Sequence, residues 1–218
     1  MHEIRVLINA TTIKNGGGVQ AAISMIEHVT SENVPDIHFA FALSEAIAKD
    51  LPVQLLDQIK VTIFETSPSI LIGGLLSRRR LKKLEVDFSP HVVYSIGFPS
   101  YVKFKSLEVG RYTNPWEVQD LDAAWSQMGL IAKLKRKMRT LYRRRWAKNA
   151  DVFETQTDTA KEGIVKHFQR GNKEIFVIPN SVNPRFLKSV KPFEIHNSHP
   201  EIAQIFCLAA DHWHKNLK

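Results

Sequence analysis

The sequence has a single cysteine, Cys207, in 218 residues, so no disulfide can close within the chain. That thiol lies among Ile205, Phe206 and Leu208, the setting of a buried structural cysteine rather than of a nucleophile. No apolar run approaches the roughly 18 residues that a membrane span requires. The opening Met1-His2-Glu3-Ile4-Arg5 also lacks the apolar stretch of a signal peptide. Together these absences point to a cytoplasmic protein. Acid is missing from one segment: between Lys133 and Lys148 there are nine Lys or Arg residues and no Asp or Glu. Removing those nine from the 30 basic residues leaves 21 against 22 acids, so this one segment accounts for the net charge of +8.

What remains is ordinary for a globular chain, with 44% hydrophobic and 24% charged residues, enough for a sizeable core. Residues 3–8 are short, β-branched and apolar, and they run into Gly16-Gly17-Gly18. Val19, Ala22, Ile23, Ile26 and Val29 then recur at helical spacing, which makes a strand, a glycine loop and a helix. Further strands are predicted at 37–43, 60–64, 91–95, 107–112, 151–155 and 174–178. Helices are predicted at 70–84, 131–146 and 157–168, the last with Thr159 and Glu162 at capping-box spacing. This alternation predicts an α/β, Rossmann-like parallel sheet with helices on both faces. Pro184, Pro192 and Pro200 mark residues 184–200 as a linker, and a fresh strand at 205–209 follows. The expected organisation is a first domain over 1–183, the linker, and at 201–218 the start of a truncated second domain.

The glycine loop is the first candidate for chemistry. Glycines let a ligand approach the backbone, and the helix behind them offers unpaired N–H groups at a positive dipole end, which suits a phosphate. The alternative is a turn with no ligand. The loop is neither GxGxxG nor a P-loop, since Ala21 and Ala22 follow and no Lys-Ser/Thr does. The loops behind the strands, at Asn9, Ser95 to Pro99 and Thr113 to Trp116, are candidates for an acceptor wall. Ligands of open parallel sheets gather at the carboxyl ends of the strands.

Four segments taken in order resemble family 4 glycosyltransferases: the strand with Gly-Gly-Gly-Val-Gln, 150–157 (ADVFETQT), 177–183 (VIPNSVN) and 214–217 (HKNL). The resemblance implies the first, acceptor-side half of a GT-B fold, in which two Rossmann-like domains face each other across a cleft. It implies retaining transfer of a sugar from a nucleotide-sugar donor to a sugar or lipid-linked acceptor, or to a polysaccharide precursor. Gly16, Gly17 and Gly18 then match the loop near the donor phosphates and the acceptor. Lys215 matches the lysine that contacts the diphosphate. The arginine that usually precedes it is absent from 209–214, and Ser181 replaces the glycine that usually follows Asn180. Asn114 lies where relatives place a histidine beside the reacting sugar. It can hydrogen-bond a hydroxyl but cannot shuttle a proton. The catalytic glutamates of the family fall beyond residue 218, so no catalytic residue is assigned, and the fragment alone is expected to be inactive.

No cofactor or metal is expected. His196, His199, His212 and His214 lack acid or cysteine partners at ligand spacing. In the basic segment Ile131, Leu134, Met138, Leu141, Tyr142 and Trp146 form the apolar stripe of a long helix. Lys133, Lys135, Arg136, Arg139, Arg143 and Arg144 lie mostly off it. They make either a solvated face or a surface for anionic lipid at the inner face of the membrane. Nothing resembles a nucleic-acid motif. The competing functional reading is a non-catalytic Rossmann-like module that binds a nucleotide or an anionic surface. A dinucleotide oxidoreductase is disfavoured because no acid ends the second strand at Leu43.

Overall fold

Strands of a parallel sheet are buried on both faces and so are near-continuous apolar runs. Ile4–Ala10 (β1), Ile37–Ser44 (β2), Lys60–Phe64 (β3), Val92–Ser95 (β4), Leu107–Arg111 (β5), Val152–Thr155 (β6) and Ile175–Val177 (β7) form such a sheet. The computed structural model describes residues 3–32, 34–114, 117–118, 128–168 and 173–179. Every pairing among these strands is parallel, in the order β3-β2-β1-β4-β5-β6-β7. The expected α/β, Rossmann-like class is therefore the observed one.

Successive residues of a strand point to opposite faces, and β1 divides accordingly. Ile8 and Ala10 join Phe41 and Leu43 under helix Gly17–Ser31 (α1), which buries Val19, Ala22, Ile23 and Ile26. Full burial of such aliphatic side chains contributes roughly 1.5–3 kcal/mol each. Leu7, Ala40, Ala42 and Val93 face the other way, onto Leu81 of helix Gly74–Phe88 (α4). A third cluster joins Phe153 of β6 with Ala147 of helix Leu130–Ala147 (α5) and Ile164 and Phe168 of helix Asp158–Phe168 (α6).

Two short elements are added to the expected ones, and two local expectations are corrected. Two six-residue helices, Glu45–Asp50 (α2) and Val53–Gln58 (α3), stand between β2 and β3. The first is capped by Ser44, whose hydroxyl accepts the Ile47 N–H at 3.4 Å. Helix α4 begins at Gly74, not Ile70, because Arg78 donates to Pro68 O at 2.8 Å and Ile70 O at 3.0 Å and holds that stretch as a turn. Helix α6 is capped by Thr157, which accepts the Ala160 N–H at 3.2 Å, rather than by Thr159.

The largest departure is α5. Its apolar residues Ile131, Leu134, Met138 and Leu141 are exposed, whereas Arg143 is half-buried and ion-paired on the inward side. Only Tyr142 and Trp146 of the expected stripe turn to the protein, where Tyr142 stacks on Tyr101 with ring centroids 5.4 Å apart. By contact density the chain divides into a unit of residues 1–120 with 129–180 and a unit of 121–128 with 181–218. All the elements named here belong to the first. The expected linker at 184–200, the second-domain start at 201–218, and Asn180, Cys207 and Lys215 lie outside the described residues.

Candidate functional site

From β1 the chain winds outward through β2 to β3, then returns through α4 to β4 on the other side of β1. The loops that leave β1 and β4 therefore diverge, and a crevice opens at their carboxyl ends. Its floor is polar and closed. Asn9 Nδ2 donates to Ser95 Oγ at 3.1 Å, and both residues are fully buried. Asn9 Oδ1 accepts the N–H of Thr11 at 3.2 Å and its hydroxyl at 2.8 Å, folding the chain back as it leaves the strand. The Thr12 hydroxyl donates to Gly97 O. A Cβ at Gly97 would come within 2.8 Å of Ile13 Cγ1, so only glycine lets the two loops approach this closely. Asn9 and Ser95 thus support the crevice from beneath rather than line it.

Above this floor lies the glycine loop. Gly16 has φ 69° and ψ −156°, a conformation open to glycine and strained for other residues. Helix α1 starts directly after it with no side-chain cap and no acidic residue in its first turn. The Val19 N–H bonds back to Gly16 O at 3.0 Å, and the positive dipole end of the helix is one at which an anion would be favoured. Gly18 is closely approached, since a Cβ there would meet Ile13 Cγ2 at 3.3 Å. Gly17 is not, because a Cβ there would meet nothing within 4 Å. On the β2 side of the loop an open recess of about 460 Å³ is lined by Lys14, Asn15, Gly16, Gln20, Lys49 and Asp50.

Behind the floor sits a buried acid. Glu108 of β5 accepts the Ser95 hydroxyl at 2.8 Å and is 1% exposed. Burial pushes its carboxyl up to about 7, against the lowering effect of the Ser95 and Ser100 hydroxyls. A hydrogen-bond chain runs from Glu108 through Ser95 and Asn9 to Thr11, linking the core of the sheet to the loop after β1.

A second acid organises the loops after β4 and β5. Glu117, 2% exposed, accepts from Tyr112 Oη, from Arg143 Nε and, at 2.8 Å, from Asn114 Nδ2. Arg144 Nη2 donates to the Glu117 carbonyl at 2.6 Å. Arg143 also reaches Phe98 O at 3.2 Å and Tyr101 Oη at 3.4 Å, so one guanidinium ties the two loops to α5. Burial works against its charge, but the Glu117 carboxylate together with the Tyr101 and Tyr112 hydroxyls offsets this and holds its pKa above the ordinary value. The Tyr112 hydroxyl is pushed up by burial first and by Glu117 second. On the α1 face of the sheet, Arg111 Nε lies 3.2 Å from Glu154 Oε1, and Tyr94 Oη donates to Glu154 Oε2 at 2.5 Å.

The glycine loop and Asn114 share the carboxyl edge of the sheet, as expected. They belong to β1 and β5, two strand spacings or about 10 Å apart. Asn114 is half-buried and its amide is directed to Glu117, a contact that local sequence does not announce. Pro115, Trp116 and Lys215 lie outside the described residues. Of the basic set on α5, Lys135 and Arg139 are exposed and Lys133 and Arg136 partly so. Arg143 and Arg144 turn inward to Glu117, so these two do not form part of an outward basic face. Glu108, Glu117 and Glu154 escaped the sequence analysis. Charged residues at strand positions and just past a strand were the available signal, because an acid buried in a sheet needs partners.

Among the described residues, no three His, Cys, Asp or Glu side chains are grouped as a metal site would require. No described helix is long and apolar enough to cross a membrane. The chain matches no family model, and no curated protein matches it. Among solved structures it is similar to a UDP-N-acetylglucosamine 2-epimerase, with a TM-score of 0.48 and 15% identity over 80% of this chain and 48% of that one. It is similar also to a protein described as a UDP-N-acetylglucosamine 2-epimerase from Listeria monocytogenes, with a TM-score of 0.46 and 13% identity over 81% of this chain and 45% of that one. The chain thus spans about half the length of these structures.

Proposed function

We propose that this chain is the acceptor-side half of a nucleotide-sugar glycosyltransferase. The observation that carries this reading is Gly17. Among the described residues nothing requires a glycine there, and the residue stands at a helix start with no side-chain cap beside the β1/β4 crevice. A ligand whose phosphates approach the backbone supplies the missing reason. In this reading the N–H groups at the start of α1 stabilise charge on the diphosphate leaving group, and no metal takes part. The loops after β4 and β5, held by Arg143 and Glu117, form the wall against which a sugar or lipid-linked acceptor is placed at the inner face of a membrane. Asn114 is the residue of that wall suited to a sugar hydroxyl. In this reading the remaining donor contacts, including that of Lys215, and the catalytic carboxylates belong to a second domain.

The test is a titration of the 218-residue chain with UDP- and GDP-sugars, followed by amide NMR. The expected result is weak binding, with shifts concentrated at Gly16, Gly17 and Gly18. Absence of shifts at that loop at saturating ligand would overturn the reading. So would a micromolar Kd from calorimetry, since it would place a complete donor site within this half.

A further inference from the structure

Helix α5 is amphipathic in the wrong sense for a helix that covers a core. Successive residues of an α-helix are about 100° apart. On that wheel Arg136, Arg143 and Ala147 share the side that meets the protein, where Ala147 is fully buried and Arg143 is paired with Glu117. The opposite side carries Leu130, Ile131, Leu134, Met138 and Leu141, which are 85%, 73%, 61%, 63% and 58% exposed. A charged inner face and an apolar outer face leave this stripe uncovered by the described residues. The stripe has neighbours. Arg78 donates both to Ile70 O at 3.0 Å and to Tyr142 Oη at 2.7 Å, which sets the turn before α4 beside α5. That turn and the start of α4 expose Leu71, Ile72 and Leu76 at 66%, 85% and 74%.

Charge selects the occupant. Residues 133–148 hold nine basic side chains and no acid. Lys133 and Lys137 fall on one flank of the stripe and Lys135 and Arg139 on the other, where long cationic side chains can reach headgroups while the stripe goes deeper. A second copy of the chain would bring two such helices together and set their like charges against each other. A nucleic acid would meet its phosphates at the flanks but leave an apolar stripe against a polar backbone. A surface that is both anionic and apolar a few ångströms down satisfies both features.

We propose that this face docks on an anionic lipid bilayer by inserting the α5 stripe, with the turn before α4 as a second apolar foot. This deepens the membrane element of the proposed function, since it changes the mode of attachment from charge alone to insertion. Lipid binding is read without sugar transfer, so the two proposals can fail separately.

The experiment is co-sedimentation of the 218-residue chain with phosphatidylcholine vesicles, with and without phosphatidylglycerol, across a salt series. The wild type should bind the anionic vesicles and retain part of that binding at high salt, where exposed charges are screened. Leu134→Ser/Met138→Ser/Leu141→Ser should weaken binding by about tenfold or more while its melting temperature is unchanged or higher, because the three side chains are exposed in the free protein. Lys135→Glu/Arg139→Glu should remove the preference for anionic lipid. Equal binding by the wild type and the triple serine variant would overturn insertion, and no binding to anionic vesicles would overturn the whole proposal. A concentration-dependent dimer that disappears in the triple variant would assign the stripe to a second copy instead.

Discussion

Arg143 and Glu117 stand 26 residues apart and meet in an ion pair whose carboxylate is 2% exposed. Each side chain gives the other its reason for burial. Glu117 also accepts from Tyr112 and Asn114, and Arg143 also holds Phe98 O, so the pair fixes the loops at one edge of the sheet. Removing one partner strands the other. Glu117→Ala should therefore cost about 3–5 kcal/mol, and Arg143→Met a similar amount. In urea unfolding the double variant should lose clearly less than the two singles together. Additive losses would show that the two residues act independently.

Glu108 makes stability depend on pH in the less usual direction. Its folded pKa is about 7, raised from an ordinary value of 4.5. Between those values the folded state holds a proton that the unfolded state has lost, so stability falls as pH rises through this window. The full span corresponds to about 3 kcal/mol. The neighbouring Asp151 and Glu85 carboxylates act in the same sense as burial. Chemical denaturation at pH 5 and pH 8 should show a drop that Glu108→Gln largely abolishes, and the variant should be the more stable protein at pH 8. An unchanged pH slope in Glu108→Gln would refute the assignment.

Gly97→Ala tests how closely the loops after β1 and β4 meet. The new methyl would press on Thr12 and Ile13, and relieving it means breaking the Thr12 bond to Gly97 O. Overpacking of this kind costs about 1–3 kcal/mol. The loss should appear in the melting temperature, with Thr12→Ala/Gly97→Ala recovering part of it.

Gly17→Ala should behave in the opposite way. The methyl enters open space at the first helical position, and alanine is the better helix former. Thermal stability should hold or rise slightly while nucleotide-sugar shifts at the loop diminish. A destabilised variant would mean that the fold itself requires this glycine. Undiminished shifts would remove the ligand-based explanation for it.

The sheet was legible in the sequence because most strands are compact apolar runs between turn residues, as burial on both faces favours, with β5 the weakest because Glu108, Gly110 and Arg111 interrupt it. Helices α2 and α3 were not, because six residues complete fewer than two turns and show no period. Periodicity in 131–146 located α5 and its two faces but did not reveal that Arg143 and Arg144 turn inward. A hydrophobic period shows that two faces differ; which one meets the core depends on partners elsewhere, here Glu117. The glycine loop was legible because its residue type is rare and grouped. The Glu117 cluster was not, since its members are scattered over residues 98–144 and no local pattern connects them.

The bond from Asn9 to Ser95 spans 86 positions, and this sets an order of events during synthesis. When the glycine loop leaves the ribosome, the strand that completes the crevice has not been made. At about 5–20 residues per second, Asn9 waits roughly 4–17 s for Ser95. The pairing of β1 with β2 can form in that interval, because its partners lie only 33 positions apart in register. The nascent chain therefore assembles the glycine loop on a half-sheet whose open β1 edge is closed only when α4 has crossed back and β4 arrives.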